Sequence, residues 1–141
     1  MPNDANPHGT IFGGVILSWV DMVASMAAQR HSQRICVTAA IDSISFREPI
    51  NIGDHAVLRA MVNYTHRTSM EVGVQVIKED PIRQTWSKAT TAYVTLVAVD
   101  EHHQPVAVAP VAPVSEDEQR RWNAAALRAE HRRRMRQQQT K

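Results

Sequence analysis

A chain of 141 residues, 43% of them hydrophobic, is long enough to bury one proper core, and its single cysteine, Cys36, excludes an intrachain disulfide. The formal net charge of +2 hides an imbalance, because residues 1–119 hold 8 basic and 13 acidic side chains while residues 120–141 hold 8 basic and 1 acidic. The basic excess belongs to the tail; no apolar run nears the roughly 20 residues of a membrane span, and no basic-then-apolar leader opens the chain, so the expected compartment is the cytoplasm.

The chain opens on a polar turn, Asn3-Asp4-Ala5-Asn6-Pro7-His8-Gly9, that runs through Thr10-Ile11-Phe12 into Gly13-Gly14. Pro7 pushes Asn6 out of the α region, which aims its side-chain amide. From Gly14 to about Arg30 the apolar spacing predicts a helix. Ile16, Leu17, Val20, Val23, Ala24, Ala27 and Ala28 fall on one broad arc, and Asp21 lies at its edge. Small alanines at 24, 27 and 28 allow close approach to a sheet.

Four strands are predicted next, over 35–46, 55–64, 70–78 and 86–99. The alternation is cleanest over 70–78, where Met70, Val72, Val74 and Val76 share one face and Glu71, Gly73 and Gln75 the other. Turn signals at Glu48-Pro49 to Asp54 and at Asp80-Pro81 separate the strands. With no helices between them, the strands should pair antiparallel, which gives an α+β class and argues against a parallel βαβ sheet. Residues 105–114, with prolines at 105, 110 and 113, read as an extended linker. Ser115-Glu116-Asp117-Glu118 is a capping box that opens a second helix, acidic at its start and arginine-rich toward its end.

Chemistry concentrates at the first helix. The glycine cluster is not a P-loop, since no Lys-Ser/Thr follows, nor a dinucleotide fingerprint, since no strand precedes it. Gly13 and Gly14 leave the first helical N–H groups unobstructed, and those orphan donors suit a developing oxyanion. A carboxylate at Asp21, two turns on, is placed for base or nucleophile work. Together these features point to an enzyme acting on an acyl group. Cys36 lies in an apolar segment and reads as a small hydrophobe rather than a nucleophile. His102-His103 reads as a polar turn, because no further ligand stands at metal-site spacing. The arginines at 120, 121, 128, 132, 133, 134 and 136 read as a solvated helix face, and no nucleic-acid partner is expected.

The combination Asp4-Ala5-Asn6-x-x-Gly9-x-x-Phe12-Gly13-Gly14-x-x-Leu17-x-Trp19-x-Asp21 closely resembles the opening of hotdog-fold acyl-coenzyme A thioesterases. The likeness continues through Val37-Thr38-Ala39, Asp42-Ser43-Ile44, Phe46-Arg47-x-Pro49, Arg67-Thr68-Ser69-Met70-Glu71-Val72 and Val97-Ala98-Val99-Asp100. It implies a long central helix wrapped by a curved antiparallel sheet. It also implies a homodimer with the active site at the interface, Asn6 from one subunit and Asp21 from the other, and association into a trimer of dimers.

On this resemblance the substrate is acyl-CoA and no cofactor or metal is required, coenzyme A being part of the substrate. Asp21 and Asn6 are the catalytic candidates, and Gly13 and Gly14 would bind the carbonyl. Arg67, Thr68 and Ser69 would meet the CoA phosphates, while Phe12, Thr38 and Ala39 would line the pocket. The expected organisation is a hotdog domain over 1–104, a proline-rich linker over 105–114 and a basic helix over 115–141. Two features depart from the family. No strand precedes the Asp4-Ala5-Asn6 turn, and Phe12 stands where some members carry histidine, so His8 is left only a place near the entrance. A non-catalytic acyl-CoA-binding module is the rival reading. A hotdog hydratase is disfavoured because Ser25, not histidine, follows Asp21 by one turn.

Overall fold

The computed structural model describes residues 9–11 and 13–139, so Asn6, His8 and Phe12 lie outside the described residues. Among these the elements run α1 (Gly13–Ser32), β1 (Ile35–Phe46), β2 (His55–His66), β3 (Ser69–Asp80), β4 (Thr85–Val99) and α2 (Glu116–Gln139). The four strands form one sheet in the order β1-β4-β3-β2, and every pairing is antiparallel. The α+β expectation and the helix-on-sheet arrangement hold.

α1 lies across the inner face of the sheet and touches all four strands. Its buried positions are Ile16, Val20, Ala24 and Ala28, a four-residue repeat that makes a narrower stripe than the sequence arc. The two alanines leave no bulk between helix and sheet. Met70, Val72, Val74, Val76, Val94 and Leu96 rise from β3 and β4 to meet it and are essentially fully buried. Each such side chain contributes roughly 1.5–3 kcal/mol through burial, before entropy is charged against it. Past Ser32 the chain turns at Gln33, whose left-handed φ of 56° and N–H to the Gln29 carbonyl close the helix.

Strand parity sends Glu71, Gly73 and Gln75 to the opposite face, and α2 covers part of that face. Ala125 and Ala129 sit against Tyr64, with Trp122 edge-on to the Tyr64 ring at 5.1 Å. Glu71, 1% exposed, receives the Arg128 guanidinium through Nη2 at 2.6 Å and Nε at 3.1 Å. Arg132 reaches Asp42 on β1 at 2.8 Å.

The reading of the tail arginines as a wholly solvated face is therefore corrected for Arg128 and Arg132. The physical reason is a buried carboxylate that demands a counter-charge. Its partner lies 57 positions away in the chain, beyond the reach of any local pattern.

The segment between β4 and α2 is extended and bonded to the body. Val106 N–H donates to the Ala98 carbonyl, Val108 N–H to that of Arg67, and Val111 N–H to Thr65 Oγ1. Val108 joins the main core. Ser115 caps α2 as its sequence suggests, its Oγ accepting the Glu118 N–H at 3.1 Å.

Candidate active site

The start of α1 is pinned by its approach loop. Gly9 takes a left-handed φ of 77° and its carbonyl accepts the Ile52 N–H at 3.0 Å. Ile11 N–H donates to the Ile50 carbonyl at 2.7 Å, and Thr10 bridges to Asn51. The helix therefore begins against the β1–β2 connection. Gly13 borders a cleft of about 290 Å³ shared with Phe46 and Arg47. A Cβ built at Gly13 would stand 3.8 Å from Phe46, an ordinary contact, so packing alone does not demand glycine there. An unobstructed N–H is the remaining physical use for it.

Two turns along α1, Asp21 points toward β1. Its Oδ1 accepts a hydrogen bond from Thr38 Oγ1 at 2.5 Å. Asp21 is half-buried and Thr38 exposed, so the pair sits on the open flank of the protomer rather than in its core. β1 is an edge strand. A register shift between Thr38 and Ala40 leaves Ala39 as the extra residue of a bulge beside the site. Bulk apolar side chains surround this flank: Met22 and Met26 on α1 are more than half exposed, as is Ile35 on β1.

The sequence reading made Thr38 a wall residue. Its hydroxyl as the partner of Asp21 is the contact that reading missed. The available signal was a lone hydroxyl on the α1-facing parity of an otherwise apolar strand start.

Not every candidate converges within one chain. Gly13 and Gly14 precede Asp21 by seven or eight residues, which at 1.5 Å per residue is about 10–12 Å along the helix. A single carbonyl carbon and its oxygen cannot bridge that span.

The Arg67–Ser69 turn between β2 and β3 lies at the Thr38 end of the sheet. Thr38, Leu96 and Met70 form one cross-strand row, so the turn ends beside that row, about 10 Å away across two strand spacings. Arg67 has a left-handed φ of 53°, and its exposed guanidinium makes no ion pair among the described residues. Ser69 Oγ donates to the His66 carbonyl at 3.1 Å, which leaves Arg67 and Thr68 as the open groups of the turn.

Other candidates have structural duties. Cys36 is buried, with Sγ 3.4 Å from Ser32 Oγ. His102 and His103 occupy a turn organised by Asp100, whose Oδ1 accepts the N–H groups of His102 and Gln104. Those two bonds hold the Asp100 carboxyl below its ordinary range. Among the described residues no group of three His, Cys, Asp or Glu is placed to hold a metal. No described helix is long and apolar enough to cross a membrane.

Comparison with known proteins places this arrangement. The profile described as Thioesterase superfamily matches residues 8–84. The Bacillus subtilis protein described as an uncharacterized acyl-CoA thioester hydrolase, YkhA, is 41% identical over 94% of this chain and 77% of its own length. A mouse acetyl-coenzyme A thioesterase is 34% identical over 91% of this chain, which spans only 24% of that longer protein.

Among solved structures, an apo-hexameric acyl-CoA thioesterase superposes with a TM-score of 0.91 at 38% identity, covering 96% of this chain and 86% of that one. The Staphylococcus aureus acyl-CoA hydrolase, solved with butyryl coenzyme A, coenzyme A and coenzyme A disulfide, gives 0.91 at 37% identity, covering 99% and 87%. Alanine variants of that hydrolase at an aspartate, an asparagine and a threonine align as well. With a family match over more than half its length and a relative 41% identical over nearly all of it, the chain belongs to the thioesterase superfamily and has the hotdog fold.

Proposed function

We propose that this protein is an acyl-CoA thioesterase, cleaving acyl-CoA with water to a free carboxylic acid and coenzyme A. One observation carries the reading: the Asp21 carboxylate, oriented by Thr38 at 2.5 Å on the open flank of α1. The three residues replaced in the Staphylococcus aureus variants lend support. They are an asparagine, an aspartate 15 positions later and a threonine 17 positions after that, the separations of Asn6, Asp21 and Thr38 here.

In this proposal two protomers share each site. One supplies Asp21 and Thr38. The other supplies Asn6 and the Gly13–Gly14 helix start, which removes the 10–12 Å separation imposed within a single helix. The free edge of β1 and the exposed methionines of α1 are the surfaces that would meet, and dimers would group further as in the hexameric relative.

Asp21 takes a proton from water as the water oxygen adds to the thioester carbonyl, or its own oxygen adds first to give a mixed anhydride that water then opens. In either course the tetrahedral oxyanion accepts the helix-start N–H groups, the C–S bond breaks, and the departing thiolate is protonated. Arg67, Thr68 and Ser69 hold the CoA phosphates, and Phe12, Thr38 and Ala39 border the acyl path. No cofactor enters, since coenzyme A arrives as part of the substrate. Residues 1–104 form the catalytic unit, 105–114 its connector and 115–141 the basic helix, and the cytoplasm is the proposed compartment.

Steady-state hydrolysis of an acyl-CoA panel, followed with a thiol reagent, tests the reading. Asp21→Ala should lower kcat by about 10²–10⁴. Near-normal turnover by that variant would remove Asp21 from the mechanism. Acyl-CoA binding without any turnover by the unaltered protein would instead identify a binding module.

A further inference from the structure

The sheet face opposite Asp21 carries a second concavity. A groove of about 590 Å³ runs between the first half of α2 and the outward side chains of β2, β3 and β4. Its floor follows from strand register. Arg59, Gln75 and Thr91 stand in one cross-strand row, and Met61, Gly73 and Tyr93 in the next. Asn63 is the extra residue of a bulge between Val62 and Tyr64. Its side-chain amide lies over Gly73, with Nδ2 2.5 Å from where a Cβ would stand. Ala124 on α2 is small enough to leave the wall open.

Charge distinguishes this groove. Arg59, Lys88, Arg120, Arg121 and Arg128 border it, and no carboxylate does. Arg128 is answered by Glu71 and Arg120 by Asp117. Arg59, Lys88 and Arg121 have no acidic partner among the described residues. Two buried polar atoms there also lack partners: Nε of Arg121, a donor, and Oδ1 of Asn63, an acceptor on a side chain only 7% exposed.

Buried groups of this kind cost free energy unless something meets them. Three uncompensated cations around one low-dielectric concavity focus a positive potential into it. Arg59 on β2 and Lys88 on β4 are separated by two strand spacings, about 10 Å, more than one phosphate spans. The only aromatic bordering the groove, Tyr93, is covered by the Arg128 guanidinium at 3.6 Å, so no ring is free to stack the bases of a nucleic-acid strand.

We propose that this groove is a binding site for a small phosphorylated anion, held through a di- or triphosphate group by Arg59, Lys88 and Arg121, with Asn63 Oδ1 accepting a ligand N–H. The site is distinct from the hydrolytic one and does not depend on it.

Titration calorimetry on the full chain tests this with two probes, inorganic tripolyphosphate and ADP, at low salt and at about 150 mM salt. Saturable binding of one anion per chain is expected. The exposed pair Arg59→Gln/Lys88→Gln should weaken binding about tenfold or more, and Arg121→Gln alone should do likewise.

A control pair farther along α2, Arg133→Gln/Arg136→Gln, removes the same formal charge and should leave the affinity unchanged. So should Arg67→Gln, which separates the groove from the proposed CoA phosphate contacts. Melting temperatures without ligand establish that each variant is folded. Equal affinities for the two probes would mean that the phosphates alone are read. Tighter binding of ADP, abolished by Asn63→Leu, would mean a nucleotide, and either result supports the site. The proposal is overturned if saturable binding is absent at the higher salt, or if both double variants weaken it equally. It is also overturned if a single-stranded RNA binds in a groove-dependent way while tripolyphosphate does not.

Discussion

A carboxylate on the open side of a helix ordinarily samples several rotamers, and a hydroxyl 2.5 Å away removes that freedom from Asp21. Thr38 thus matters for where the charge points rather than for the space it fills. Thr38→Val keeps the branched shape and deletes the donor. We expect kcat to fall about 10–100-fold, because a catalytic group displaced by a fraction of an ångström loses alignment. KM and melting temperature should stay near their original values, and a matched fall in melting temperature would show a structural role instead.

Asp100 makes the second prediction at this scale. Backbone N–H groups of Gln104 and His102 bind its ionised form and lower its pKa in the folded state. A lowered folded pKa contributes stability that is present above the unfolded value, about 3.9, and is lost as pH falls through the folded one. Melting curves of the parent and Asp100→Ala should therefore differ at neutral pH and converge as the solution is acidified below about pH 4. A difference that widened on acidification would contradict this origin.

Among the elements, α2 is fastened to the sheet by one buried ion pair and a few small contacts. Glu71 is 1% exposed and Arg128 supplies a two-pronged partner, with a longer approach from Arg132 at 3.5 Å. Breaking such a pair leaves a buried charge, which costs about 3–5 kcal/mol. Replacing both members with apolar residues of similar volume is often neutral. Arg128→Met should accordingly lower unfolding free energy by about 3 kcal/mol in urea titration. Adding Glu71→Leu should recover most of the loss. An additive double variant would mean that the pair is not coupled as the distances imply.

For the whole molecule, the decisive expectation concerns two chains. If Asn6 and Asp21 of each site come from different subunits, Asn6→Ala and Asp21→Ala proteins are each inactive alone. Their mixed dimer rebuilds one complete site. Random reassociation after mild unfolding should restore about a quarter of parental activity, since half the dimers are mixed and each has one intact site of two. No recovery, with exchange verified by mass, would place both residues in one chain.

The elements were legible because each is written in a local period. Apolar side chains every three or four residues gave α1, alternation gave β3, and Ser115 with Glu118 gave the start of α2. The parity that divides Met70 and Val72 from Glu71 and Gly73 also fixed which side of the sheet each would face. Asp21 could be singled out because it interrupts an apolar arc in the same stretch as the glycines.

What local pattern could not hold is any relation between distant residues. The Thr38 bond to Asp21, the burial of Glu71 under Arg128, and the groove gathering Arg59, Lys88 and Arg121 join residues tens of positions apart. Only packing of the sheet between two helices decides them, because electrostatic and hydrogen-bond energies depend on distance in space, and the sequence records distance along the chain.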